Sequence, residues 1–222
     1  MVYLDNAATT YPKSESVYKA LDDANRNMAF NAGRGSYAKA RAATEIIDDT
    51  KRQIKNLVNA SMDSSVVFSP SITVALNQIL QGITWQRGDN IYYSPYEHNA
   101  VARTLQLIKK KLDINLLEMP VDEKSLKIDL EKLKYDFCVC CTHISNVTGY
   151  VLPVAEIFEC AKRYDAITIL DTAQSLGVEK IDMSKTNISF LAFAGHKSLY
   201  GPLGIGGFVD SGKVKLSEIM AG

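Results

Sequence analysis

The sequence is short of the features that mark specialised protein classes. Its 222 residues include only four cysteines, three of them in the run 138–141. That is no disulfide framework, and it fits a reducing compartment. Neither sign of charge is in excess: Lys plus Arg number 25 and Asp plus Glu number 25. With no basic block or tail, nucleic acid is not expected as a partner. No apolar run approaches the ~18 residues of a membrane span, so no membrane partner is expected either. The opening MVYLDNAATTYPK has no charged region ahead of an apolar core. No signal peptide is read there, and the cytoplasm is the expected location. There is no internal repeat, low-complexity tract or linker.

What is present suits one large α/β domain. The chain is 46% hydrophobic and 23% charged, ordinary for a globular protein. A chain of this length buries roughly 70% of its unfolded surface and needs no staples. Residues 1–13 read as an extended arm that reaches toward the site, and 14–222 as the domain. After Ser14, a good N-cap, Val17, Tyr18, Leu21 and Ala24 have helical spacing to about Met28. Residues 37–60 carry Ala40, Ala43, Ile46, Ile47, Ile54 and Leu57 at helical period, a long amphipathic helix. Strands then alternate with helices. Strands are expected at 66–69, 91–94, 114–119, 137–142, 166–171, 188–193 and 205–210. Helices are expected at 73–82, 99–111, 127–135 and from Pro153 to about Tyr164. That alternation predicts a seven-stranded, mostly parallel sheet covered by helices on both faces.

In such a sheet, ligands sit beyond the carboxyl ends of the strands. Ser71, Ile72 and Thr73 follow the first strand and open a helix, where backbone N–H groups can hold phosphate; a plain N-cap is the alternative. Glu97 and His98 follow the second strand. His143, Ser145 and Asn146 follow 137–142, Asp171 to Gln174 follow 166–171, and His196 and Lys197 follow 188–193. All three histidines of the chain thus fall just past strand ends. Asp171 ends an apolar run, so its carboxylate should be partly desolvated and in want of a cationic partner. Burial at a strand end would lower the Lys197 pKa and favour the neutral amine that Schiff-base chemistry needs. Together a phosphate site, a strand-end Asp, a planar His and a poised Lys describe a pyridoxal phosphate pocket. A metal site at Cys138, Cys140, Cys141 and His143 is the competing reading. Cys138 and Cys140 share one strand face and Cys141 does not, so these read as core residues and no metal is expected.

The motifs YLDNAATT, EHNAV, HISNVTG, DTAQSLG and GHKSLYGPLGIGG, in this order over residues 3–207, resemble the cysteine desulfurase family of class V aminotransferases. The GHK-x-x-x-GP spacing is similar to a Gram-positive subgroup of desulfurase-like proteins. The resemblance implies the large domain of fold type I, with the last strand antiparallel. It implies pyridoxal 5'-phosphate as cofactor, a cysteine-like amino acid as substrate, a homodimer, and a sulfur-acceptor protein as a further partner. Lys197 would carry the cofactor covalently and move a proton, and His98 would stack on its ring. Asp171 would face the ring nitrogen, Gln174 and Asn146 the phenolic oxygen. Ser71, Ile72, Thr73 and His196 would bind phosphate. Sulfur would leave the substrate's Cβ for an enzyme cysteine as a persulfide, leaving alanine. Selenocysteine lyase or another β-elimination or aminotransferase activity is the nearest alternative. Three features depart from the family pattern: Ile72 stands where a small residue is usual, Ala194 where a Ser or Thr is usual. The smaller C-terminal domain, with its nucleophilic cysteine and substrate-clamping arginine, is expected to be missing. That leaves a non-catalytic binding or dimerisation module as a reading from another class.

Overall fold

The computed structural model describes residues 2–33, 35–132 and 138–220. Seven strands form one sheet: β1 (Ser65–Ser69), β2 (Asn90–Tyr93), β3 (Asn115–Glu118), β4 (Cys138–Thr142), β5 (Ile167–Asp171), β6 (Phe190–Ala194) and β7 (Gly206–Asp210). Their order is β1-β7-β6-β5-β4-β2-β3. Pairings from β6 to β3 are parallel, and β7 runs antiparallel to both β1 and β6. The expected mostly parallel sheet with an antiparallel last strand is therefore what forms.

Strand periodicity of two decides which helix each residue meets. Cys138 and Cys140 of β4 join Ile169, Phe190, Ala192 and Phe208 beneath the helices α3 (Ile72–Gly82) and α4 (Asn99–Lys111). Val139 and Cys141 join Leu170, Leu191, Phe193 and Val209 on the other face, under α2 (Ala38–Leu57) and α5 (Val154–Lys162). All five residues of β4 are buried, which is why its sequence is an unbroken apolar and small run rather than an alternating one. In α3, Ile72, Ala75, Leu76, Ile79 and Leu80 recur at three- and four-residue spacing and are buried together.

Two helical expectations need correction, and the helix expected over 37–60 forms with a narrow buried face. The first helix, α1 (Glu15–Asp23), stops short of Met28 and passes into a π-helical turn at Ala24–Met28. Asn25 and Asn27 are weak helix formers, and nothing in α1 is buried to enforce regularity. The segment expected as a helix over 127–135 is only a 3₁₀ turn at Leu130–Lys132, with 133–135 outside the described residues. Val121 pairs with Ile128 instead, across a turn fastened by the Ser125 amide donating to Asp122. In α2 only Ala40, Ala43 and Ile54 are buried, whereas Ile46 and Ile47 are 48% and 38% exposed. Phe137, expected to open β4, also lies outside the described residues.

Candidate active site

The carboxyl ends of β2, β4, β5 and β6 converge on Asp171. This last residue of β5 is only 2% exposed, and its Oδ1 accepts the Ala173 amide at 2.8 Å. Burial pushes its carboxyl above the ordinary range. The Ala173 hydrogen bond and the nearby charges of His98 and Lys197 pull it back. Lys197, in the loop after β6, is half-buried. Burial lowers its ammonium pKa while Asp171 opposes that shift. His98 is the N-cap of α4: its Nδ1 accepts the Ala100 amide at 3.1 Å, which fixes the ring at the helix start. Three of the sequence-predicted residues are thus brought into mutual electrostatic reach.

The loop that carries Lys197 is braced twice. It closes on itself, the Gly201 amide donating to Gly195 O at 2.7 Å and the Gly195 amide to Ile205 O at 3.0 Å. A side chain at Gly201 would sit 2.8 Å from that Gly195 oxygen, so the close approach needs a glycine. The N-terminal arm then clamps the loop from outside. Thr10 donates its amide to His196 O at 3.1 Å and its hydroxyl to Lys197 O at 2.6 Å. Lys13 Nζ reaches His196 O at 3.2 Å, and Thr9 Oγ1 reaches it at 3.1 Å. His196 turns its Nδ1 to Thr9 Oγ1 at 3.0 Å. Gln174 donates to Ala7 O at 2.8 Å, tying the arm to the strand end that bears Asp171. A cavity of about 400 Å³ lies along this seam, between Asn6, Thr10, Gln174, Ser198 and Tyr200.

At the start of α3, Ser71 Oγ accepts the Val74 amide at 3.2 Å and so acts as a helix cap. The Ile72 side chain points into the core and Thr73 is exposed. A Cβ at Gly206 would lie 2.5 Å from Ile72 N, so that glycine lets β7 press against the helix start. Asn146 lies exposed in the turn after β4, where Ser145 Oγ accepts the Val147 and Thr148 amides.

One histidine departs from the expected rim. His143 follows Thr142, which is in register with Asp171, so its side chain takes the opposite face. It is 7% exposed, beside a cavity of about 190 Å³ lined by Leu152, Pro153, Ile181 and Ile188. Burial lowers its pKa, and no hydrogen bond reaches its Nδ1 among the described residues. The four cysteines are free: Cys138, Cys140 and Cys141 are wholly buried, their thiols pushed up by burial, and Cys160 is half-buried.

Sequence reasoning gave no role to Glu97, although it stands directly after a strand end beside His98. Its Oε1 accepts the Ser94 hydroxyl at 2.5 Å and the Thr142 amide at 2.6 Å. Thr9, Thr10 and Lys13 were also missed as contacts of the lysine loop. The only signal for them was the arm's expected reach.

Residues 2–220 match the family model for aminotransferase class V. The chain belongs to the class V aminotransferases. These enzymes depend on pyridoxal phosphate. Among class V relatives, a probable cysteine desulfurase of Halalkalibacterium halodurans is 35% identical over 93% of this chain. One from Pyrococcus abyssi is 32% identical over the same share. The chain spans about half the length of these relatives, 52% of each. The apo structure of a cysteine desulfurase from Thermococcus onnurineus NA1 superposes with a TM-score of 0.90 at 28% identity. It covers 100% of this chain and 56% of its own. The class V large domain with fold type I topology is therefore the architecture of this chain. Among the described residues, no helix is long and apolar enough to cross a membrane.

Proposed function

We propose that this chain is the cofactor-holding part of a cysteine desulfurase. The observation that carries the reading is the buried Asp171 carboxylate, faced by a half-buried Lys197 and by His98 at the strand ends. Asp171 makes no ion pair within 4.0 Å among the described residues, so a buried carboxylate stands without a bonded cation. A protonated ring nitrogen is the partner such a group wants. The residues present fit pyridoxal phosphate. Asp171 would hold the ring nitrogen, His98 would cover the ring face, and Gln174 and Asn146 would approach the phenolic oxygen. The Ile72 and Thr73 amides at the start of α3, with Ser71 and His196, would take the phosphate. When bound, the cofactor supplies an electron sink for the substrate's Cα. Lys197 would hold it covalently and, once freed by the substrate's amine, would take the proton from Cα, its ammonium pKa being lowered by burial.

None of the four cysteines is an exposed thiol at this site. Sulfur leaving a cysteine substrate would therefore need an acceptor outside the residues described, on a further domain, a second subunit or an acceptor protein. A homodimer located in the cytoplasm belongs to the same reading. The buried cysteines also favour a second reading, a cofactor-binding module without turnover. One experiment separates the two. Protein loaded with pyridoxal phosphate should show the visible absorption of the lysine-bound cofactor, lost in Lys197→Ala. Loaded protein given cysteine should yield little alanine and sulfide until the acceptor part is supplied. No Lys197-dependent absorption would defeat both readings; stoichiometric alanine from this chain alone would exclude the module.

A further inference from the structure

Glu97 has no task in the proposed function, yet its surroundings are built. Its Oε1 takes two hydrogen bonds, one from Ser94 on its own turn and one from the Thr142 amide at the end of β4. Oε2 is buried and has no hydrogen-bond partner among the described residues. Thr142 pairs in register with Asp171, and the next amide, His143 N, donates to Asp171 O at 2.9 Å. Glu97 thus fastens the turn that presents His98 to the end of β4, the strand paired with the one that presents Asp171. An ionised carboxylate with a buried, unpartnered oxygen is costly, and a second carboxylate close by adds like-charge repulsion. Burial and that repulsion favour a proton on one of the two acids. The cations decide which: His98 and Lys197 act on Asp171, and no Lys, Arg or His pairs with Glu97 within 4.0 Å among the described residues.

We infer that Glu97 is a positioning residue that works as an un-ionised acid. Its Oε1 locks the His98 turn to β4, and the proton on Oε2 leaves Asp171 as the carboxylate that faces the cofactor. The inference rests on reading Asp171 as the ring-nitrogen partner. The titratable groups around the Glu97 carboxyl are Asp171 from β5 and the Cys140 and Cys141 thiols from β4. Burial is the largest influence on it and the charge on Asp171 adds to it, while the bonds from Ser94 and Thr142 oppose. The carboxyl is held at about 8.

The test is infrared spectroscopy of the full chain without cofactor. Near neutral pH, wild type should show the carbonyl stretch of an un-ionised carboxylic acid. Glu97→Gln should abolish that band, Asp171→Asn should leave it, and in wild type it should disappear as pH rises through about 8. A wild-type spectrum without the band overturns the inference. So does a band that survives Glu97→Gln and is lost in Asp171→Asn, because Asp171 would then hold the proton. If Glu97→Gln does not fold, the wild-type titration decides: a band gone well below neutral pH overturns the inference. Failure of cofactor attachment at Lys197 with the band intact would sink the functional reading alone.

Discussion

A protonated Glu97 makes folding stability depend on pH in a direction opposite to that of most carboxylates. Its folded-state pKa of about 8 stands above its ordinary 4.5, so the native state holds the proton where the unfolded chain has released it. The contribution of Glu97 to stability is therefore fully present below 4.5 and is lost as pH rises toward 8. Each pH unit across that window is worth about 1.4 kcal/mol, giving a total on the order of 5 kcal/mol. A domain stable by about 5–15 kcal/mol would feel that loss. Glu97→Gln keeps the Oε1 acceptor and removes the titration. Its amide N–H, like the proton on Oε2 in wild type, has no acceptor among the described residues, and that cost does not vary with pH. Urea unfolding of wild type and Glu97→Gln across this range reads the difference directly. Asp171, also pushed up by burial, titrates in both proteins and drops out of the difference. The variant should gain on wild type steadily as pH rises, and above pH 8 the curves should run parallel. A difference that stays flat between pH 5 and 8 would refute the reasoning.

Other perturbations probe the lysine loop and the core. Thr10→Val removes the hydroxyl that holds Lys197 O at 2.6 Å, a bond worth about 1 kcal/mol, so cofactor affinity should fall a few-fold by spectroscopic titration, and Thr10→Ser should restore it. Gly206→Ala places a methyl 2.5 Å from Ile72 N, between backbones that cannot yield; urea unfolding should show a loss of about 1–3 kcal/mol and weaker phosphate binding. With three cysteines wholly buried and their thiols pushed up, native protein should expose no more than Cys160 to a thiol reagent, whereas denaturant should release all four.

The parts of the fold legible in the sequence are those where a local pattern and a tertiary environment agree. β4 reads as a buried strand from CVCCT because both faces are covered, and the alternation that separates Cys138 and Cys140 from Cys141 is the one the two cores obey. The antiparallel β7 came from the family resemblance, since nothing in GGFVD itself states direction. Helical period placed α1 but says nothing of what its apolar residues meet. Tyr18 and Leu21 are spaced as a buried face but are 43% and 40% exposed. At the site, Lys197, Asp171 and His98 were legible because each ends or follows an apolar strand. His143 obeys the same rule in sequence, but one residue of register turns it to the other face. Glu97 was not legible. Its importance comes from the Thr142 amide 45 residues away, and no spacing records that contact.

The most direct test of the account is where the cofactor attaches. Protein incubated with pyridoxal phosphate, reduced with borohydride and digested should carry the cofactor on the peptide containing Lys197. Lys13 offers an internal control, since its Nζ lies 3.2 Å from His196 O beside the same loop. Modification of Lys197 alone, abolished in Lys197→Ala, is the predicted result. Label on Lys13, label spread over surface lysines, or no label would contradict the assignment of this strand-end pocket as the cofactor site.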